Sequence, residues 1–241
     1  MSKVGSITAL LACLLTMACC RVAASQTPAA DQAPTDMTAE QTGWTLAFSD
    51  DFKRNELGKD WVIVEGDWKV TDGCLRGSGI LLSAQGFPQK DAGFQRLEFE
   101  AVTDVQPIIF FPDKPKPKVV VGDISSFIHA GPGDPFKTGY FFQFGGVHNT
   151  VNKIQRQGAA VVTDTAPKNV ITPDKAHHVI VENDKGRLRL IVDGQTLLDH
   201  REKTFLLGNE HNRVGLFFYT ASKVSNVKVY VKTLPNNLDL Y

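Results

Sequence analysis

Past its first two dozen residues the chain has no apolar run long enough to span a bilayer, so no transmembrane segment is expected in the mature chain. Net charge is also missing: 26 Lys and Arg balance 26 Asp and Glu in 241 residues. A balanced chain has no field with which to gather nucleic acid or an anionic membrane surface, so neither partner is expected. Cysteine is nearly absent from the body of the chain. Cys13, Cys19 and Cys20 lie at the N-terminus and leave Cys74 alone, which excludes a disulfide within the domain. Cys74 sits in "DGCLRG" with no activating neighbour and reads as a small strand residue. No segment keeps a helical period over three turns, which removes helical bundles and alternating α/β folds.

The N-terminus reads as an export signal over residues 1–24. Lys3 supplies the positive start, "ITALLACLLTMACC" the apolar stretch, and Val22 and Ala24 the small residues ahead of cleavage. Ala12–Cys13 and Ala18–Cys19 leave lipoprotein processing open, so the expected location is periplasmic or extracellular, with or without a lipid anchor. Residues 25–42, "SQTPAADQAPTDMTAEQT", offer almost nothing to bury and read as a disordered tether. The expected domain covers residues 43–235, with a short tail at 236–241.

Within that domain the text is a succession of short strands and Gly/Asp/Asn turns. "DWKVTDGCLRG" reads as a hairpin about Asp72–Gly73, and "HHVIVENDKGRLRLIVDGQTLL" as two strands turned at Asn183–Gly186, with a second turn at Asp193–Gly194. In "FQRLEFEAVT", Gln95, Leu97, Phe99 and Ala101 share one face, and Arg96, Glu98 and Glu100 the solvent face. "RVGLFFYTA" and "SNVKVYVKTL" close the domain as two further strands. The expected fold is all-β: a jelly-roll sandwich of two antiparallel sheets. "PDKPKPK", residues 112–118, cannot join a ladder and reads as an exposed loop, or as a basic rim to a groove.

In chain order, "GDWKVTDGCLRGSG", "FQRLEFEA", "GYFFQF", "HHVIVENDKGRLRLIVDGQTLLDH" and "RVGLFFYTASKVSNVKVY" resemble the 3-keto-disaccharide hydrolase domain family, within the concanavalin A-like lectin and glucanase superfamily. The resemblance covers about residues 44–233. It implies a concave sheet facing a sugar, and hydrolysis of glycosides already oxidised to a ketone at the third carbon. That chemistry needs a general base and a group that steadies an enolate, such as hydrogen-bond donors or a divalent metal, and not a pair of carboxylates. The family often reads Gly-Tyr-Glu-x-Gln where this chain has Gly139-Tyr140-Phe141-Phe142-Gln143, so Phe141 stands in the carboxylate's place. The Glu-x-Asp-x-x-Glu run of laminarinase-type jelly rolls is also missing.

Site candidates come from three neighbouring stretches. On the strand from Tyr140, residues Tyr140, Phe142 and Phe144 share the core face, while Phe141 and Gln143 share the other, where a ring could stack under a sugar and an amide could bind a hydroxyl. "GGVHNTVNKIQRQG" adds His148, Asn149, Asn152 and Arg156. "VGDISSFIHA" places Asp123, Ser125 and His129 at alternate positions, hence on one face. His129 is then the expected general base, with Asp123 or His148 assisting. Tyr140, Phe141, Gln143, Asn149, Asn152 and Arg156 are the expected sugar contacts. Three functions stay open: a hydrolase acting on keto-glycosides, a lectin-like binding module, and an envelope structural domain.

Overall fold

The computed structural model describes residues 39, 42–88, 93–108 and 118–233. The expected signal, most of the tether, residues 112–117 and the C-terminal tail lie outside the described residues. The described strands are β1 (Thr45–Asp50), β2 (Trp61–Thr71), β3 (Cys74–Ser83), β4 (Gly93–Thr103), β5 (Val105–Ile108), β6 (Lys118–Val121), β7 (Ile124–Ala130), β8 (Tyr140–Gly145), β9 (Val151–Arg156), β10 (Ala159–Asp164), β11 (His177–Asp184), β12 (Arg187–Val192), β13 (Gln195–Arg201) and β14 (Arg213–Thr233). All pairings are antiparallel.

Two layers emerge from one long strand. The 21 residues of β14 pair with β7 and β3 over their first part, and with β4 and β1 over their second. The first layer therefore runs β10-β9-β8-β7-β14-β3-β2, and the second β1-β14-β4-β11-β12-β13. Register shifts between Phe218 and Ser222, and between Ser225 and Lys228, mark where the strand passes between layers. The closing segment is thus one strand and not the two that its text suggests.

Alternation fills the space between the layers. Tyr140, Phe142, Phe144 and Ile154 from the first layer meet Leu97, Phe99, Ala101, Val179, Val181 and Leu190 from the second in one apolar cluster. The hairpin turns fall where the small residues predict them: Asp72 and Gly73 both have positive φ, as do Lys185 with Gly186 and Asp193 with Gly194.

The outer face of the second layer departs from a plain solvated face. Glu98 is buried and accepts from Arg96 Nε at 2.6 Å, and Arg96 Nη1 reaches Glu182 Oε2 at 2.9 Å. Arg189 completes the network on Glu182. Burial is possible because each carboxylate is met by a guanidinium. The expectation of a simply solvent-facing Glu98 is corrected accordingly.

Candidate functional site

The outer face of the first layer carries a cleft of about 330 Å³. Strand register sets its floor. Across four strands the partners Phe217↔Ser125, Ser125↔Gln143 and Gln143↔Lys153 form one row. Gly215↔Phe127, Phe127↔Phe141 and Phe141↔Gln155 form the next. At the usual strand spacing such a row extends roughly 14 Å. Phe141 is packed 4.8 Å from Phe136, 5.1 Å from Phe127 and 5.8 Å from Phe217, centroid to centroid. These rings, with Ile80, Leu82 and Ala130, make a second apolar cluster on the far side of the sheet from the main core.

The polar groups stand on that aromatic base. Asp123, just ahead of β7, accepts from Ser125 Oγ at 2.6 Å, from Gln143 Nε2 at 2.7 Å and from the Tyr219 backbone N–H at 3.1 Å. It is buried, and loss of solvation raises its pKa despite those three donors. It is the one carboxylate among the described residues lining the cleft. Lys153 lies with its ammonium 5.9 Å from the Phe141 ring centre, a cation–π distance. Gln155, His148, Val147 and Tyr219 complete the walls and rim, with Val147 65% and Tyr219 54% exposed.

The rim at Gly146–Asn149 is a left-handed turn. Val147, His148 and Asn149 have φ of 49°, 58° and 65°, and Gly145 before them has 76°. A β-branched residue in this region is held against its preference. Two latches hold it. Asn149 Oδ1 accepts from Ile171 N, and its Nδ2 donates to Ile171 O, each at 2.8 Å. Asn152 Oδ1 accepts from Gly145 N at 3.0 Å. Gly146 is needed at its place because a Cβ there would lie 2.3 Å from the Gln143 amide.

The structure brings Asp123, Phe141, Gln143 and His148 together at the cleft and sends the other candidates elsewhere. His129 does not share a face with Asp123. Between Ala130 and Phe127, β7 carries one residue more than its partner β14 does between Arg213 and Gly215, and His129 has φ of 52°. This bulge turns the imidazole into the space between the layers, where it is fully buried. There Nδ1 donates to His211 O at 3.1 Å, and Nε2 accepts from Asn183 Nδ2 at 3.2 Å. Burial drives its pKa down to about 3, and both ring nitrogens are engaged between the layers away from the cleft, so it is not placed to act as the cleft's general base. Gln95 holds the bulge, accepting from the His129 backbone N–H at 2.5 Å.

Tyr140 is likewise a core residue. Its hydroxyl accepts from Leu206 N at 3.2 Å, and burial pushes its pKa up to about 12. Arg156 lies on the same side of its sheet as Asn152 and Ile154, and donates to Glu202 and Thr204, each at 2.9 Å. Tyr140, Asn149, Asn152 and Arg156 are thus committed to packing and latching rather than to the cleft. His177 and His178 fall on opposite faces as strand geometry requires: His177 is buried and held by Asp193 at 2.9 Å, while His178 is exposed.

Lys153, Gln155, Phe217 and Tyr219 are among the cleft residues that the sequence candidates omit. Alternation carried the signal: in "VNKIQR", Ile154 marks the core face, which assigns Asn152 and Arg156 to it and Lys153 and Gln155 to the cleft. A divalent ion does not suit the donor set, since the Asp123 oxygens already accept three hydrogen bonds. Among the described residues no group of three or more His, Cys, Asp or Glu is placed to hold a metal. Nor is any described helix long and apolar enough to cross a membrane.

No protein-family model matches the chain, and no curated protein matches it significantly by sequence. Solved structures do match in fold. The carbohydrate recognition domain of Emp47p aligns at a TM-score of 0.53 and 12% identity, over 79% of this chain and 97% of that one. A structure from work on endo-acting O-glycanases of the human gut microbiota aligns at 0.52 and 16%, over 79% and 100%. The laminarinase catalytic domain of Thermotoga petrophila aligns at 0.51 and 12%, over 80% and 99%. At these identities the likeness concerns the fold, which is a concanavalin A-like jelly roll.

Proposed function

We propose that the protein binds carbohydrate in the cleft on the outer face of the first layer. The observation that carries this reading is the pairing of an aromatic floor, the half-buried Phe217 packed on the buried Phe141, with amide and ammonium groups from two adjoining rows, Gln143 and Lys153 in one and Gln155 in the other. Sugar rings present C–H faces to aromatics and hydroxyl edges to amides, so both halves of the cleft find a counterpart on one ligand. Occurrence of the same fold in a carbohydrate recognition domain and in a laminarinase supports the reading by analogy of fold. Retention of the purified protein on a panel of immobilised oligosaccharides tests it. The wild type is retained by at least one sugar, and Phe217→Ala, which trims the floor while leaving the main core untouched, weakens retention at least tenfold. Absence of retention on every sugar would reject the proposal.

A second reading, hydrolysis of 3-keto-glycosides, draws on Asp123. Burial raises its pKa and it stands at the cleft wall, so by exchanging one of its three donors it could take a proton next to a ketone, and a single carboxylate is enough for such an elimination. The paired carboxylates of ordinary glycosidases have no counterpart among the described cleft residues, so unoxidised glycosides are not the expected substrates. Release of sugar from 3-keto-glycosides but not from their parents, abolished in Asp123→Asn, would establish this activity. Silence on both would leave binding alone.

Export belongs to the same proposal. The pattern of residues 1–24 supports cleavage after Ala24, and intact mass of the protein isolated from its host checks it. A mass matching the uncut chain counts against export, and an added diacylglyceryl mass on Cys13 or Cys19 identifies the lipid-anchored form.

A further inference from the structure

Among the described residues lining the cleft, the one carboxylate and the one ammonium do not pair with each other. Its one described carboxylate, Asp123, is enclosed by the wall and has its oxygens occupied by Ser125, Gln143 and Tyr219. Lys153 has no carboxylate within 4 Å among the described residues, and its ammonium is held near the face of Phe141. Elsewhere the protein pairs its partly buried cations: Arg54 with Asp50, Arg96 with Glu98 and Glu182, Arg156 with Glu202, and Lys232 with Asp184. Arg213, also partly buried and without a carboxylate, donates to the Ser83 carbonyl at 3.0 Å. Lys153 has neither kind of partner among the described residues, and it stands over the aromatic cluster of the cleft.

We propose that the cleft selects acidic saccharides, with Lys153 meeting an anionic substituent, a uronate carboxylate or a sulfate ester, on a sugar stacked over the half-buried Phe217, against which the buried Phe141 is packed. This rests on the carbohydrate-binding reading above and adds the class of ligand. Row geometry supports it. Gln143 and Lys153 are directly opposed on β8 and β9, and Phe141 and Gln155 are opposed in the adjoining row. A ring on Phe217 is thereby faced by the Gln143 and Gln155 side chains, whose Nε2 groups donate to Asp123 and to Gly158 O, and by one ammonium for its charge. An ammonium against a carboxylate or sulfate gives a charge-assisted hydrogen bond, about twice as strong as a neutral one. A neutral sugar leaves that ammonium to compete with water for partners and gains less.

The test uses a panel of oligosaccharides in matched pairs: uronates beside their carboxyl-reduced parents, and sulfate esters beside their desulfated parents. Binding of the full chain is measured at 50 and 300 mM salt. The expected result is at least tenfold tighter binding of the acidic member of one pair, with the margin shrinking at high salt. The margin, taken as the ratio of acidic to neutral binding within each variant, disappears in Lys153→Gln and returns in Lys153→Arg. Which type of pair responds separates carboxylate from sulfate. Equal or better binding of neutral parents overturns the acidic selection and leaves carbohydrate binding standing. An acidic preference that survives Lys153→Gln overturns the assignment to Lys153. Failure of every sugar to bind overturns both proposals.

Discussion

The two faces of the first sheet hold similar inventories and put them to different uses. The inner face carries a histidine, a tyrosine, an asparagine and an arginine, namely His129, Tyr140, Asn152 and Arg156, and every one is tied to a named protein partner. The outer face carries Asp123, Phe141, Gln143, Lys153 and Gln155 around open volume. Residue type does not separate the two sets, since either could furnish a general base or a sugar contact. What separates them is access: these four side chains between the layers are met within the protein, where an unmet group costs about 1–3 kcal/mol and Ser126 Oγ is an exception on the same strand as His129. Groups on the outer face can leave capacity for a ligand.

The largest effect that sharpens this contrast comes from truncating the inner face. Phe142→Ala removes a fully buried ring and is expected to cost about 3–5 kcal/mol in chemical denaturation. A loss below about 1 kcal/mol would mean that the layers are not packed as described. Phe217→Ala, on the outer side, is expected to cost less than half as much.

Acid probes the same contrast through charge. His129 has its folded pKa depressed to about 3 from 6.5, so below pH 6.5 the unfolded chain takes up a proton that the folded one refuses. The stability is fully present above pH 6.5 and is lost as pH falls toward 3. Between pH 7 and pH 4 this group alone removes roughly 3 kcal/mol. In His129→Asn, a side chain that tolerates the positive φ, overall stability is lower but its pH slope is flatter over that range. An unchanged slope would place the imidazole in contact with solvent.

Asp123 should behave with the opposite sign. Its folded pKa is raised above 3.8, so the folded protein holds the proton longer than the unfolded chain does. Its contribution is present below the unfolded pKa and is lost as pH rises through the folded value. Asp123→Asn should therefore gain on the wild type as pH rises through that interval. A difference that moves the other way would show the carboxylate to be stabilised by its three donors more than it is penalised by burial.

The smallest expected effect lies at the rim. Val147→Gly relieves a β-branched residue from φ of 49° at an exposed position, and a gain of about 1 kcal/mol is expected in thermal or chemical unfolding. A loss of stability would show that Val147 makes contacts worth more than its strain.

Much of this was legible in the sequence because alternation and turn chemistry are local. The division of Tyr140, Phe142 and Phe144 from Phe141 and Gln143 follows from a period of two, and the turns at Asp72–Gly73, Lys185–Gly186 and Asp193–Gly194 follow from residues that accept positive φ. His129 departs from the alternation because one extra residue in β7 reverses the parity beyond Phe127, and nothing in "SSFIHA" announces it; the bulge is held from a distance by Gln95. The continuity of β14 across both layers is likewise a product of pairing with four other strands. The placement of Lys153 and Gln155 follows from the same alternation as that of β8, with Asn152 and Arg156 on the opposite face.

The most direct test compares sugar retention by the wild type, Phe217→Ala and Arg156→Ala on one oligosaccharide panel, with melting temperatures measured alongside. The outer-face account predicts that Phe217→Ala loses retention while Arg156→Ala keeps it, whatever each does to stability. Retention that survives Phe217→Ala and is lost in a folded Arg156→Ala would contradict the account and move the site away from the cleft.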